Sequence, residues 1–284
     1  MIREWIDTYE PANEEEALSA LREIMQEIAL AGLSRTDFFK KAAFYGGTAL
    51  RIFYGLNRYS EDLDFSLLAV EDKFSLAPYF QTIQSEFNSM GMQVSLRSEN
   101  KIHKTPIESA FLKSETLWKE LVLEDVVEQL GIRSNKNIKI KIEVDRNPPL
   151  NFQTEEKLLL RPFSFYVKCF DLSSLFAGKI HALLFRKWKN RVKGRDWFDM
   201  EWYIRKGVSL NLEHFQQRAQ DSGDWEKPTV SREELLKLLR NKIESTSIDK
   251  VKADVRPFIR NMEPLEIWSP QYFLDLTDLL KVEK

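Results

Sequence analysis

In Glu61-Asp62-Leu63-Asp64-Phe65, two carboxylates alternate with apolar neighbours, so on a strand both leave the same face. Two such groups about 4 Å apart repel by roughly 4 kcal/mol at an effective dielectric of 20, and a core does not keep them together without a cation. A divalent ion turns the repulsion into a ligand set, and all-oxygen donors favour Mg²⁺ or Mn²⁺. Upstream, Gly46-Gly47-Thr48 lies between an apolar run and a helical pattern. Glycines let backbone approach a ligand closely, and the N–H groups that open the following helix favour an anion. Downstream, NIKIKIEVD carries Glu143 and Asp145 on one strand face. A third carboxylate beside the Asp-x-Asp pair would complete a metal clamp for in-line attack on a nucleotide α-phosphate.

These parts need elements to hold them. AAFYGG, residues 42–47, reads as a buried strand entering a tight turn, TALRIFYG as a helix, and LDFSLL, residues 63–68, as a strand. Before them, Asn13 and Glu16 cap an amphipathic helix for which Gly32 is the natural stop. A helical period runs from Lys73 to Met90, ahead of Gly91. Strand patterns follow at 92–97, within 108–113 and at 137–145, until Pro148 and Pro149 break the regularity. From Asp171 the chain reads as helical. LSSLFAGKIHALLFRKW is expected as one helix and RDWFDMEWYIRKG as a second; Ser231 with Glu234 and Ser269-Pro270 open two more. The expected layout is α+β: an α/β domain over 1–170 with a mixed sheet, then a helical domain over 171–284 that completes the active-site cleft.

The 284 residues are enough for one large domain or two modest ones with real cores. Hydrophobic residues at 43% and charged residues at 30% exclude a disordered chain, and the single Cys169 excludes a disulfide framework or a thiolate zinc cage. Cys169, among Phe165, Tyr166, Val167 and Phe170, is expected as a buried thiol. His103, His181 and His214 lack zinc spacing and read as surface or capping residues. No apolar run approaches a membrane span and the N-terminus is too acidic for a signal peptide, so a soluble, cytoplasmic protein is expected. Net charge is −2, yet Lys179 to Arg195 holds seven Lys/Arg and no Asp or Glu. On one ideal helix Lys179, Arg186 and Lys193 fall within about 40° of one another. Such a stripe suits an RNA backbone, and equally an ordinary solvated face. Trp188, Trp197, Trp202 and Tyr203 nearby could stack bases or hold helices together.

FYGGTALR (44–51) followed by RYSEDLDF (58–65) resembles the first motifs of the AbiEii/AbiGii toxin family. The likeness continues in Pro162-Phe163, in the helix carrying Gly178-Lys179-Ile180 and in Arg195-Asp196-Trp197-Phe198-Asp199, and it covers roughly residues 40–205. The resemblance implies a nucleotidyltransferase, polymerase-β-like fold and the toxin of a bacterial abortive-infection or toxin–antitoxin module, similar to the MenT-type tRNA nucleotidyltransferase toxins. It implies NTP as substrate, Mg²⁺ or Mn²⁺ as cofactor, RNA such as a tRNA 3′ end as acceptor, and a separately encoded antitoxin; the alternatives are a protein or small-molecule acceptor, or a non-catalytic nucleotide- or RNA-binding module. Carried over by position, Gly46, Gly47, Thr48 and Arg51 would bind nucleotide, and Asp62 and Asp64 the metal. Glu143 fits the third ligand best, being flanked by Ile142 and Val144, with Asp145 as the alternative. Lys179 and Asp196 would be catalytic, with Lys179, Arg195 and Asp199 also at the nucleotide. Locally, Arg195 and Asp199 could equally be an i,i+4 ion pair.

Overall fold

The computed structural model describes residues 2–97, 116–123, 138–186 and 192–283. The chain divides into two compact units: residues 1–53, 59–148 and 156–169 form the first, and 54–58, 149–155 and 170–284 the second. The second thus begins close to residue 170 but also takes in two short segments from the N-terminal part of the chain.

The first unit is built on a seven-stranded mixed sheet in the order β3-β4-β5-β2-β1-β7-β6. Its strands are β1 (Ala42–Tyr45), β2 (Leu63–Leu67), β3 (Val94–Arg97), β4 (Thr116–Leu123), β5 (Ile138–Asp145), β6 (Thr154–Leu159) and β7 (Phe165–Phe170). β1 pairs antiparallel with β2, and β2 parallel with β5. Along β5, Ile138, Ile140, Ile142 and Val144 alternate into the core as the sequence predicts. The expected strand within 108–113 lies outside the described residues.

Helices α1 (Ile2–Asp7), α2 (Glu14–Ser34), α3 (Phe38–Lys41), α4 (Gly46–Tyr54) and α5 (Ala77–Ser89) accompany the sheet. The Asn13 side chain accepts from the Glu16 N–H at 2.9 Å to cap α2. Gly32 does not end that helix. It lies inside it, where a Cβ would press on the Ile83 backbone of α5, so the glycine serves a close helix crossing. At the heart of this core, Phe65 meets Phe38 edge-on at 4.9 Å and Phe44 at 5.1 Å. Cys169 is fully buried.

The second unit is helical: α6 (Leu172–Phe185), α7 (Gly194–Arg205), α8 (Leu212–Asp221), α9 (Arg232–Glu244), α10 (Ile248–Val255) and α11 (Pro270–Asp278). It also contains a small parallel pair, β8 (Ser209–Asn211) with β9 (Lys281–Glu283). The predicted starts hold: Ser231 and Glu234 form a reciprocal capping box, and Ser269 caps α11 ahead of Pro270. Trp197 and Tyr203 are buried and join helices, Trp197 edge-on to Phe273 and Tyr203 stacked on Phe176 at 4.4 Å. Trp188 lies outside the described residues. Among the described residues no helix is long and apolar enough to cross a membrane.

Candidate active site

In the first unit the site grows from a single turn. β1 ends at Tyr45, opposite Asp64 of β2, and Gly46 then turns the chain into α4 with φ +83°. Only glycine adopts that conformation without strain. A Cβ on Gly46 would also collide with the Asp64 carboxylate, so the backbone here closes on that acid. Thr48 is fully buried and donates its hydroxyl to the Asp62 carbonyl, tying the first turn of α4 to the segment leading into β2. Its side chain is therefore a brace; only its backbone remains for a phosphate. Asp62 stands one residue ahead of β2 and Asp64 inside it, both partly buried.

The parallel register of β2 and β5 sets Asp64 beside Glu143, whereas Asp145 falls beside Ser66. Neighbours across a ladder share a face, so Glu143 and Asp64 leave the sheet together. Glu143 is paired with the Lys141 ammonium two residues back on the same face. In this conformation, among the described residues no three His, Cys, Asp or Glu side chains are gathered closely enough to hold a metal ion. Arg51 is engaged within the unit: its Nε bonds Glu23 at 2.8 Å and its guanidinium lies 4.9 Å over the Tyr59 ring.

In the second unit the residues of the Arg-Asp-x-x-Asp box meet the lysine helix. Asp196 and Asp199, one turn apart on α7, both accept from the Lys179 ammonium of α6, at 2.9 and 2.8 Å. Asp199 is fully buried and is also clasped by Arg58, Nε to Oδ1 and Nη2 to Oδ2, both at 2.6 Å. Arg58 itself is 3% exposed. Burial would raise the Asp199 pKa, but Arg58 and Lys179 outweigh it and bring the group down to about 2. Burial would likewise lower the Lys179 ammonium, and Asp196 and Asp199 instead hold it above the usual lysine range. In the sequence, Arg58 stands in the RYSEDLDF motif with no role of its own. The only sequence signal for one is Asp199 itself, a carboxylate on the buried face of a helix that must find a cation.

Part of the basic run departs from the expected single helix. α6 ends at Phe185, with Arg186 in extended backbone as its C-cap, and Lys193 precedes α7. Lys179, Arg186 and Lys193 therefore form no stripe; Arg186 turns to Asp196 at 3.1 Å. Lys187, Lys189 and Arg191 lie outside the described residues. The Arg195 guanidinium sits 4.0 Å over the Phe258 ring, while Asp199 takes Arg58 and Lys179. His214 is not a surface residue, and His181 is partly buried. His214 is fully buried with Nδ1 at 2.8 Å from the Leu150 carbonyl, and His181 contacts Ser222 Oγ at 3.0 Å. His103 lies outside the described residues.

The family model for AbiEii nucleotidyl transferase toxins of type IV toxin–antitoxin systems matches residues 28–275. Among solved structures, the chain is similar to MenT4, a nucleotidyltransferase toxin of Mycobacterium tuberculosis, with TM-score 0.57 and 14% identity over 99% of both chains. It is also similar to JHP933 of Helicobacter pylori, with TM-score 0.50 and 16% identity over 92% of this chain and 90% of that one. At these identities the structures speak for the fold. No curated protein sequence matches. With the family model spanning most of the sequence and the glycine turn, the Asp-x-Asp strand and the Arg-Asp-x-x-Asp box all in place, the chain belongs to the AbiEii family of nucleotidyltransferase toxins.

Proposed function

We propose that the protein transfers a nucleoside monophosphate from an NTP to an RNA acceptor, the 3′ end of a tRNA, as the toxin of a module whose antitoxin is encoded separately. The observation that carries the chemistry is the β2–β5 register, which sets Glu143 beside Asp64 on the face that Gly46 approaches. The donors are all carboxylate oxygen, the set that suits Mg²⁺ or Mn²⁺. Asp62, Asp64 and Glu143 would hold the ion once Glu143 leaves Lys141. Bound there, such an ion supplies Lewis acidity at the α-phosphate and lowers the pKa of the attacking hydroxyl.

The rest falls to the chain. The acceptor hydroxyl gives up its proton to water as its oxygen bonds the α-phosphorus, the bond from that phosphorus to the oxygen bridging to the β-phosphate breaks, and pyrophosphate leaves with the electron pair. The Gly46-Gly47 turn brings backbone close to the phosphates, with Thr48 bracing it from below. The family model and MenT4, which is by name a nucleotidyltransferase toxin, support the transfer, while the RNA acceptor is what the motif resemblance implies. Incubating the protein with each α-³²P-NTP, Mg²⁺ and either total RNA or protein extract tests the reading. Label should enter small RNA and vanish with Asp64→Asn. Label in protein alone would overturn the acceptor, and none in any fraction would overturn the transfer.

A further inference from the structure

Three polar side chains, Glu23, Gln26 and Glu27, are buried on α2 among the apolar Leu21, Ile24, Met25 and Ile28. Burying such groups costs stability unless each finds a partner. Glu23 accepts from Arg51 Nε, and the Tyr9 hydroxyl lies 3.3 Å from Glu23 and 3.4 Å from Glu27. Gln26, 1% exposed, donates from Nε2 to the Ser60 carbonyl at 3.2 Å. An apolar side chain of that length would pack α2 as well, so the amide answers to Ser60. Residues 59–62, which include Ser60, have no regular structure. The two aspartates that follow are held unequally. Asp64 is fixed by the ladder on both sides, opposite Tyr45 and beside Glu143. Asp62 precedes the first rung, which joins Leu63 to Ile142. Outside the ladder, side chains from two helices hold the backbone. Thr48 of α4 bonds the Asp62 carbonyl, and Gln26 of α2 bonds the Ser60 carbonyl two residues back. The Arg51 guanidinium over the Tyr59 ring adds a hold at the head of the stretch, and Glu23 fixes Arg51.

We propose that Gln26 is a positioning residue for the carboxylate pair: by holding the Ser60 carbonyl it fixes the stretch before β2 and keeps Asp62 in place to share a divalent cation with Asp64. The inference rests on the metal-dependent reading above. With the Ser60 and Asp62 carbonyls both bonded to helices, the backbone of Glu61 and Asp62 has little freedom, and the Asp62 carboxylate keeps one direction. Without the amide, the stretch loses one of these two anchors. Ordering it must then accompany ion binding, at a cost in affinity.

EPR titration of Mn²⁺ on the full chain tests this, read beside thermal melting and single-turnover transfer. Gln26→Met keeps the length of the side chain and removes the donor. Mn²⁺ affinity should fall about tenfold to a hundredfold, and transfer should recover much of its rate as Mn²⁺ approaches saturation. Ile24→Val lowers the melting temperature through packing alone and should leave the affinity within twofold of wild type. Asp64→Asn should abolish binding, which marks the site being read. Gln26→Asn, polar but one methylene short of Ser60, should weaken Mn²⁺ as Gln26→Met does, and it decides if Gln26→Met fails to fold. If wild type binds Mn²⁺ and the folded Gln26 variants bind it within twofold, the role of Gln26 is overturned and the transferase reading stands. Equal losses of affinity in Gln26→Met and Ile24→Val would overturn it too, as an effect of packing. If wild type neither binds Mn²⁺ nor transfers label, the metal-dependent reading falls and the role of Gln26 falls with it.

Discussion

Arg58→Met removes the cation that clasps a carboxylate with no exposure. Asp199 loses two hydrogen bonds of 2.6 Å and is left with Lys179, which it already shares with Asp196. Breaking a buried pair from one side costs about 3–5 kcal/mol, because the abandoned charge cannot reach water. At roughly 2–4 °C per kcal/mol, the transition of the second unit should fall by about 6–20 °C. Asp199→Leu should cost a comparable amount, since it strands Arg58. The double variant removes both charges, and Lys179 keeps Asp196, so its cost should fall well below the sum, with a coupling of at least about 2 kcal/mol. Urea unfolding followed by tryptophan fluorescence suits the test, because Trp197, Trp202, Trp225 and Trp268 all lie in this unit. Additive single-variant losses would refute the claim that Arg58 and Asp199 act as one buried pair.

Glu143→Gln should slow transfer at least about 10²-fold and Asp145→Asn far less, because only Glu143 shares a ladder rung with Asp64; single-turnover rates decide, and the reverse order would sink the register argument. Gly46→Ala should destabilise the first unit by about 1–3 kcal/mol through the positive φ and displace Asp64; thermal melting and transfer should therefore fall together, and a variant with wild-type melting would contradict the close approach. His181 and His214 are pushed down to about 3, first by burial and then by Arg218. Below their unfolded value of about 6.5 the unfolded chain binds protons that the fold does not, so stability falls as pH drops from 6.5 towards 3, by up to about 1.4 kcal/mol per unit for each histidine. Urea midpoints of the second unit at pH 6.5, 5.5 and 4.5 should record that slope, and a flat series would show that the rings are not held neutral.

The glycine turn with its Asp-x-Asp partner is legible because its constraints are local. A positive φ demands glycine, an Asp-x-Asp alternation demands one strand face, and both are written within twenty or so residues of one another. The choice between Glu143 and Asp145 is not local. Both occupy the same face of β5, and only the pairing with β2, from a segment some eighty residues away, decides which one stands beside Asp64. The same limit hides β6 and β7. Thr154–Leu159 is rich in Glu, Lys and Leu, poor strand formers, and becomes a strand only as the edge partner of β7. Gly32 misleads in the opposite direction: its intrinsic cost of about 1 kcal/mol argues for a helix end, but the approach of Ile83 gives α2 a reason to continue.

The basic run shows why charge composition misjudges a buried site. Counting along the sequence, Lys179 to Arg195 has cations and no acids, and a continuous helix would line up Lys179, Arg186 and Lys193 towards solvent. The fold ends the helix at Phe185 and supplies the acids from just beyond the run, Asp196 and Asp199, with Arg58 arriving from more than a hundred residues upstream. Lys179 and Arg186 are thereby drawn to a carboxylate. Charge that looked like a diffuse surface for a polymer is, around Asp196, a small enclosed excess. The roles of these cations thus depend on partners that the run itself does not contain.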